Sequence, residues 1–424
     1  MSIKIWDILK TKTFTQSGLT LTATFINGLL GVIFFVIIAR SLGPSSYGIL
    51  AFTMVFITLV ADVAALGTDT GLIRFIGKSA GSGVDKKFLK LGLEIKLITW
   101  LLILIAGWIS IPLIAEVFFQ KKELIFPLRL SLFGIGSSLL FSFTISALQA
   151  YQKFRSFSLI LAGSNALRLV IVITLILLSA VSLRNILLTY ITIPFLGFFV
   201  GLLILPKFFL TKGEWTIAKE FFHYNKWIAA IALTAATGSK LDTFLSTKFL
   251  STADVGVYSV AVSLTSFIPQ LFFALATVAA PKLSGFDTRG KAKVYLKKLQ
   301  LLTLGLAVLG VLALPAGYFL IPVLYGDVYV KSITPFVVLL ISQLLFLIAL
   351  PSHQAIFYYF AKPKIMFFTS ILETLTIATL GYILIQKFGI IGASLAVLAG
   401  NVIVFILPAI WVLYKFTGER DRND

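Results

Sequence analysis

Residues 39–50, ARSLGPSSYGIL, separate two long apolar runs at a Gly-Pro pair, and residues 247–258, TKFLSTADVGVY, separate two further apolar runs. The two stretches lie 208 residues apart. Gly43 is typical of a residue at which one helix ends, and Pro44 is typical of the first turn of the next helix. The sequence therefore predicts a tight corner between two helices at each of these two places.

The composition identifies the environment of these helices. The chain has 424 residues, of which 58% are hydrophobic and only 12% are charged. Soluble domains carry roughly 25% charged residues. A helix needs about 20 mostly apolar residues to cross the hydrocarbon core of a bilayer. Apolar runs of this length fill nearly the whole sequence, which predicts an all-α polytopic membrane protein.

The apolar runs divide into about twelve transmembrane helices. They are expected at approximately residues 15–39, 47–69, 91–115, 126–150, 156–180, 183–206, 222–247, 255–280, 298–324, 333–360, 364–387 and 390–414.

The connections between these spans alternate in charge. Of the 36 basic residues, 24 fall on the side of the membrane that holds both termini, and seven fall on the opposite side. A basic excess marks the cytoplasmic side, so both termini are predicted to be cytoplasmic in a multi-pass protein of the cell membrane. This topology accounts for most of the net charge of +19, and attraction of anionic lipids is a secondary effect. Nucleic-acid binding is not expected.

The corner belongs to a longer internal repeat. Ser251 and Asp254 have the spacing of a capping box that begins the helix after the second corner. Lys153 and Lys362 lie in equivalent cytoplasmic turns. They are 209 residues apart, which matches the 208-residue separation of the corners to within one residue. Because an even number of spans separates equivalent points, the halves are predicted to be parallel six-helix lobes related by a pseudo-two-fold axis along the membrane normal. The expected divisions are an N-terminal lobe at 1–206, a cytoplasmic linker at 207–221 and a C-terminal lobe at 222–424.

The first corner and the stretch DVAALGTDTGLIRFIG at residues 62–77 resemble the start of the polysaccharide transporter, or oligosaccharide flippase, family. This family belongs to the multidrug/oligosaccharidyl-lipid/polysaccharide exporter superfamily. The motif positions Asp62, Gly67 and Arg74 are present, although GTDTG is more polar than expected. About twelve spans disfavour the fourteen-helix lipid II flippase branch.

The resemblance implies two six-helix lobes around a central cavity. It also implies that lipid-(pyro)phosphate-linked oligosaccharide moves from the inner to the outer leaflet by alternating access, for synthesis of a cell-surface polysaccharide. The partners implied are the lipid-linked oligosaccharide, membrane lipids and the glycan polymerase or glycosyltransferase machinery. No cofactor is expected, apart from coupling to H⁺ or Na⁺.

Polar side chains inside the spans are candidates for the site, because a charge at mid-span costs about 2.5–3.5 kcal/mol on insertion scales. Arg168 and Lys240 are candidates for binding a pyrophosphate or an acidic sugar. Asn27 and Gln270 lie on polar stripes of the first and eighth spans and are further candidates for binding substrate. The alternative for these cations is an internal salt bridge, of Lys240 with Asp242 or Asp62 and of Arg168 with Glu373. The alternative for the stripes is helix packing through small residues.

The acidic residues Asp62, Glu373 and Asp242 are candidates for binding the coupling ion, since a buried carboxylate holds a proton more readily. His353 is expected to be a helix-packing residue. Lys96, Arg129 and Lys226 lie near span ends and are expected to snorkel.

An enzyme is not expected. The stretch GLIRFIGKSA at residues 71–80 has five residues between Gly71 and Gly77, where a phosphate-binding loop has four. Three functions remain: a lipid-linked oligosaccharide flippase, a cation-coupled exporter of small molecules or drugs, and a membrane scaffold that transports nothing. The motif favours the flippase.

The charge pattern makes a prediction about topology. In the cysteine-free chain, a single cysteine in place of Lys86 is expected to react with an impermeant maleimide only after the cells are permeabilised. Labelling of this cysteine in intact cells would contradict the predicted orientation.

Overall fold

Helices make up most of the part of the protein that its structure, a computed structural model, describes. This part comprises residues 12–79, 81–286, 288–312 and 314–418, and for residues 12–27, 227, 231, 281 and 418 it is limited to the backbone. No β-strand occurs in these ranges. The α-helices in chain order are α1 (Lys12–Ala64), α2 (Thr68–Ser79), α3 (Val84–Leu113), α4 (Ile125–Ala150), α5 (Phe154–Leu177), α6 (Leu183–Ile204), α7 (Trp215–Phe249), α8 (Thr252–Thr265), α9 (Phe267–Ser284), α10 (Arg289–Leu312), α11 (Leu314–Tyr325), α12 (Ile333–Ile348), α13 (Leu350–Gln354) and α14 (Pro363–Gly418).

The number of membrane-crossing helices agrees with the sequence. Within the described ranges, nine stretches are long and apolar enough to cross a membrane. Two of them bend at a glycine, Gly43 in α1 and Gly389 in α14, and each therefore supplies two limbs. With the 35-residue helix α7, which covers the predicted seventh span, the predicted twelve spans are accounted for. The protein is an all-α, multi-pass membrane protein.

Both predicted corners are present. Gly43 has φ 72° and ψ 168°, a conformation that residues with a Cβ atom rarely adopt, and the helix resumes at Pro44. At the second corner, Ser251 caps α8 by accepting a hydrogen bond of 3.1 Å from the N–H of Asp254. The same hydroxyl donates to the Asp254 carboxylate at 2.6 Å. The N-cap inferred from the sequence is confirmed, and the Asp254 carboxylate accepts from the Ser251 hydroxyl, where a capping box would use the Ser251 backbone N–H.

The helices that follow the two corners pack against each other through glycine. A Cβ atom on Gly48 would overlap the carbonyl oxygen of Thr252, and a Cβ atom on Gly256 would overlap the carbonyl oxygen of Pro44. Gly48 and Gly256 are 208 residues apart, and so are Pro44 and Thr252. Each glycine therefore contacts the residue that is equivalent, in the repeat, to the one its counterpart contacts. Small residues at such a crossing let two backbones approach closely in a membrane.

The tertiary contacts divide the chain into two units. The first contains the described parts of residues 1–42 and 53–236, and the second contains those of 43–52 and 237–424. This division differs from the predicted lobes in two places, since residues 43–52 pack with the second unit and residues 222–236 with the first. The two-fold relation of the lobes stays a prediction.

An aromatic cluster lies in the core of the first unit. Phe75 of α2 stacks on Phe88 of α3 with ring centroids 4.8 Å apart, and both rings contact Phe221 of α7. The segment predicted as a linker is anchored to this core, because Phe208 and Phe221 are buried. The Lys90 ammonium donates to the carbonyl of Thr211 at 2.9 Å.

The core of the second unit includes Tyr47 from the first corner. Its ring is buried and meets Tyr329 edge-on, with centroids 6.2 Å apart, while Tyr325 contacts Tyr329 at 6.0 Å. The hydroxyls of Ser263 and Tyr325 lie 3.3 Å apart. The corner residues are therefore part of the packing of this unit.

Two details of the spans differ from the prediction. The second span was expected to run to residue 69, but α1 ends at Ala64 and α2 begins at Thr68. The polar stripe of the eighth span likewise passes from α8 to α9 at Ser266. Pro269 explains this break, because it has no N–H to donate to the preceding turn.

The close approach at Gly48 and Gly256 predicts the effect of a methyl group. Replacing Gly256 by Ala should lower the free energy of unfolding of the purified protein by about 1–3 kcal/mol, since the helices must separate or distort. The melting temperature should fall accordingly. Gly305→Ala in α10 is the matched control, because a Cβ atom there meets no atom within 4 Å. Equal melting temperatures for the two variants would contradict this packing.

Candidate functional site

A break in the helical backbone positions the first group of charged residues. Leu66 and Gly67, between α1 and α2, both have positive φ, of 48° and 71°. Thr68 closes the turn by donating its hydroxyl to the carbonyl of Ala65 at 2.6 Å. Asp69 then falls in the first turn of α2, where the helix dipole stabilises a carboxylate.

Asp69 forms a salt bridge with Lys96 of α3 inside the first unit. The Lys96 ammonium is fully buried and lies 2.8 Å from Oδ1 of Asp69, whose side chain is 32% exposed. Lys96 also donates to Ser142 at 2.7 Å, and Ser146 donates to Asp69 at 3.0 Å. The cation therefore lies in the protein interior, while the carboxylate retains access to the exterior.

This pair was missed by the sequence analysis. Lys96 was expected to snorkel, and that expectation is wrong because its side chain is fully buried and hydrogen-bonded. The two residues are 27 positions apart and on different helices, so no local spacing indicates the pair. The polar GTDTG sequence was the available signal, since an acid beside a glycine break needs a partner in an apolar bundle.

Asp62 lies close to this group on α1. Its charge acts electrostatically on Lys96, and its side chain is exposed. Lys96 is thus influenced by two carboxylates, with Asp69 in direct contact. The alternative salt bridge of Lys240 with Asp62 stays a prediction.

Arg168 on α5 has no carboxylate partner among the described residues. Its guanidinium lies 4.4 Å from the ring centroid of Tyr190 and 5.6 Å from that of Phe34, and it donates to Oδ1 of Asn165 at 2.9 Å. The buried Nε makes no hydrogen bond. Cation–π contacts occupy the faces of the guanidinium, whereas the N–H groups lie in its plane. Arg168 therefore retains donors for an anionic ligand.

The second unit contains a different arrangement. Asp242 on α7 accepts a hydrogen bond of 2.6 Å from the hydroxyl of Tyr258. Lys240 acts on Asp242 electrostatically, but the two do not form a salt bridge within the described part of the chain. Tyr258, and not Lys240, is the direct partner of this carboxylate.

The remaining candidates are dispersed. Glu373 is partly buried against Gly400, on the second limb of the bent helix α14. Gln270 is exposed on α9. Asn27 is on α1, where only the backbone is described, so its side chain lies outside the described part. His353 meets Phe272 and Phe346 edge-on and contacts the carbonyl of Val404 at 3.0 Å, as expected for a packing residue.

Comparisons with known proteins identify the family. The profile described as "Polysaccharide biosynthesis protein" matches residues 15–286, which confirms the resemblance seen at the first corner and at residues 62–77. No curated protein sequence matches the chain.

Three solved structures share the fold. The lipid II flippase MurJ in an inward closed conformation is 17% identical, with a TM-score of 0.74 over 93% of this chain and 87% of that chain. A multidrug resistance MATE family transporter of the MOP superfamily, in its inward-facing conformation, is 15% identical, with a TM-score of 0.74 over 96% and 99% of the two chains. A MOP superfamily transporter from Pyrococcus furiosus is 14% identical, with a TM-score of 0.62 over 95% and 94%.

The Lys96–Asp69 salt bridge predicts non-additive effects of mutation. Asp69→Asn should destabilise the protein by about 3–5 kcal/mol, because it leaves the fully buried Lys96 ammonium without a counter-charge. Lys96→Met should cost less, because the Asp69 carboxylate that it leaves is 32% exposed, and the double variant should be more stable than Asp69→Asn alone. Unfolding of the purified protein in detergent measures these differences, and additive losses in the double variant would contradict the pairing.

Proposed function

The chain belongs to the polysaccharide biosynthesis protein family, and from this we propose that it is a flippase for lipid-(pyro)phosphate-linked oligosaccharide. It would carry the glycan from the inner to the outer leaflet of the cytoplasmic membrane, with both termini on the cytoplasmic side. The substrate would come from glycosyltransferases, and a glycan polymerase would use the product. The fold shared with a lipid II flippase supports this assignment.

The environment of Arg168 is the main support for a flippase. It is a cation in an apolar span, held by two aromatic rings and one amide, with no carboxylate partner in the described residues. A charge in this setting is costly unless a ligand or partner compensates it. A pyrophosphate can accept several N–H donors of one guanidinium in a bidentate arrangement.

Lys240 is a further candidate for binding a phosphate. The prenyl tail would remain in the lipid while a cation holds the phosphates. Transport requires that inward-open and outward-open states interconvert, and a ligand shifts this equilibrium only through different affinities for the two states. Asp62, Glu373 and Asp242 are the candidate groups through which H⁺ or Na⁺ would bias it.

A cation-coupled exporter of small molecules is the second candidate. The multidrug resistance MATE family transporter has the same TM-score as the flippase, and the Asp62–Asp69 region places two carboxylates near one lysine. An exporter of cationic drugs would use these carboxylates for its substrate. The flippase is favoured because Arg168, a buried span residue with no carboxylate partner among the described residues, is a cation and would attract an anionic substrate.

Flipping by the purified protein tests the proposal. Phosphatidylcholine vesicles would contain a nitrobenzoxadiazole-labelled undecaprenyl-pyrophosphate oligosaccharide, and dithionite would quench the label that is exposed outside. Arg168→Gln should slow flipping by about tenfold to a hundredfold, as loss of a charged hydrogen-bond donor implies. Arg168→Lys should retain part of the rate.

Arg129→Gln is the matched control, since Arg129 also stacks on an aromatic ring, Trp108, at 5.0 Å. It should flip at the rate of the unmodified protein. Equal rates for Arg168→Gln and the unmodified protein would contradict the role of Arg168. No flipping by the unmodified protein, together with proton-driven efflux of a cationic dye, would favour the exporter.

A further inference from the structure

A basic cavity lies inside the first unit, and Arg168 is not among the residues that line it. Its volume is about 680 Å³, and it opens between α2 and the first turns of α7. On α2, Arg74 and Phe75 line it. On α7, positions 216, 219, 220, 223 and 224 line it, and their spacing of three and four residues places them on one helical face. We call this cavity the Arg74 pocket.

The polar wall of the Arg74 pocket is basic. Arg74, Lys219 and His223 line it together with a single acid, Glu220. The Arg74 guanidinium lies 4.4 Å from the ring centroid of Tyr224. This contact uses a face of the guanidinium and leaves the in-plane N–H groups for a ligand. The first turn of α7 adds partial positive charge beside Thr216.

The other wall is apolar. Phe75, Tyr224 and Ile228 line it, and Phe75 meets Tyr224 edge-on at 5.5 Å. Cations on one side and hydrocarbon on the other suit an anionic amphiphile better than a free ion. Basic pockets between membrane helices bind lipid head groups in this way.

Close packing fixes the shape of the pocket. A Cβ atom on Gly71 would overlap the amide of Asn225, and one on Gly67 would lie 2.8 Å from Cβ of Ile228. The aromatic cluster around Phe75 and Phe221 supports the same two helices. The cations are therefore presented from two helices in direct contact, and not from a loop.

We propose that the Arg74 pocket binds the pyrophosphate head group of a polyprenyl lipid before that group reaches Arg168. The proposal rests on the flippase function, which supplies a pyrophosphate lipid as the substrate. Because the basic side of the predicted topology contains Arg74 and Lys219, the pocket would load substrate from the inner leaflet. A pyrophosphate carries more negative charge than the single phosphate diester of phosphatidylglycerol, so two cations should select it.

A reporter in the pocket tests this binding directly. Thr216 lines the cavity and is exposed, and the chain has no cysteine, so Thr216→Cys accepts a single bimane label. The labelled full chain in phosphatidylcholine nanodiscs would be titrated with undecaprenyl pyrophosphate, phosphatidylglycerol or inorganic pyrophosphate. We expect a saturable change in emission at the lowest concentration for undecaprenyl pyrophosphate.

Variants of the lining residues should change this affinity in opposite directions. Arg74→Gln should weaken binding about tenfold and Lys219→Gln by less, because a bidentate fork is lost in the first and a point charge in the second. Glu220→Gln should tighten binding about threefold by removing the repelling carboxylate. Lys78→Gln, also on α2 but outside the lining, is the control with the same loss of charge and should leave the affinity unchanged.

The outcomes separate this proposal from the flippase function. Equal affinities of the parent, Arg74→Gln and Glu220→Gln for undecaprenyl pyrophosphate would overturn the proposed role of the pocket. A response to phosphatidylglycerol or to inorganic pyrophosphate equal to that for undecaprenyl pyrophosphate would also overturn it. Vesicle flipping that persists in that case would leave the flippase function intact. If the pocket binds undecaprenyl pyrophosphate but the vesicles show no flipping, the pocket stands and the transport function fails.

Discussion

The cost of a charge inside an apolar helical bundle is the constraint on which the architecture depends. A chain with 58% hydrophobic residues can retain an intramembrane cation only where other groups compensate it. Lys96 meets this requirement within the protein, through Asp69 and Ser142. Arg168 meets it in part, through aromatic rings and one amide, and its remaining donors are the basis for proposing an anionic substrate. The same kind of side chain therefore has a structural role at one position and a proposed binding role at the other.

Glycines decide where these charges lie. Gly67 breaks the second span, and the break places Asp69 at a helix N-terminus facing Lys96. Gly43 turns the chain at the first corner, so that Tyr47 and Gly48 pack into the second unit. Each break interrupts hydrogen bonding along the helix, which in a membrane is tolerated where protein surrounds the backbone. The Lys96–Asp69 pair of the first unit follows directly from the Gly67 break.

The sequence predicted features that depend on local spacing or on composition. The twelve spans follow from apolar length, the corner at Gly43 from a Gly-Pro pair, and the cap at Ser251 from a three-residue spacing. It did not predict the Lys96–Asp69 pair or the Arg74 pocket, because each joins residues from different helices. Arg74 was placed in a charged loop, whereas α2 continues to Ser79 and directs it toward α7. Partners across a helix interface depend on rotation and tilt, which the apolar pattern of a membrane helix specifies weakly.

Binding of a lipid-linked pyrophosphate by Arg168 can be observed in an electron cryomicroscopy structure of the full chain in a nanodisc, saturated with undecaprenyl-pyrophosphate oligosaccharide. Pyrophosphate density is expected within hydrogen-bonding distance of the Arg168 guanidinium, with Tyr190 still stacked on it. Pyrophosphate density elsewhere in the chain, with the Arg168 guanidinium contacting protein groups alone, would contradict it.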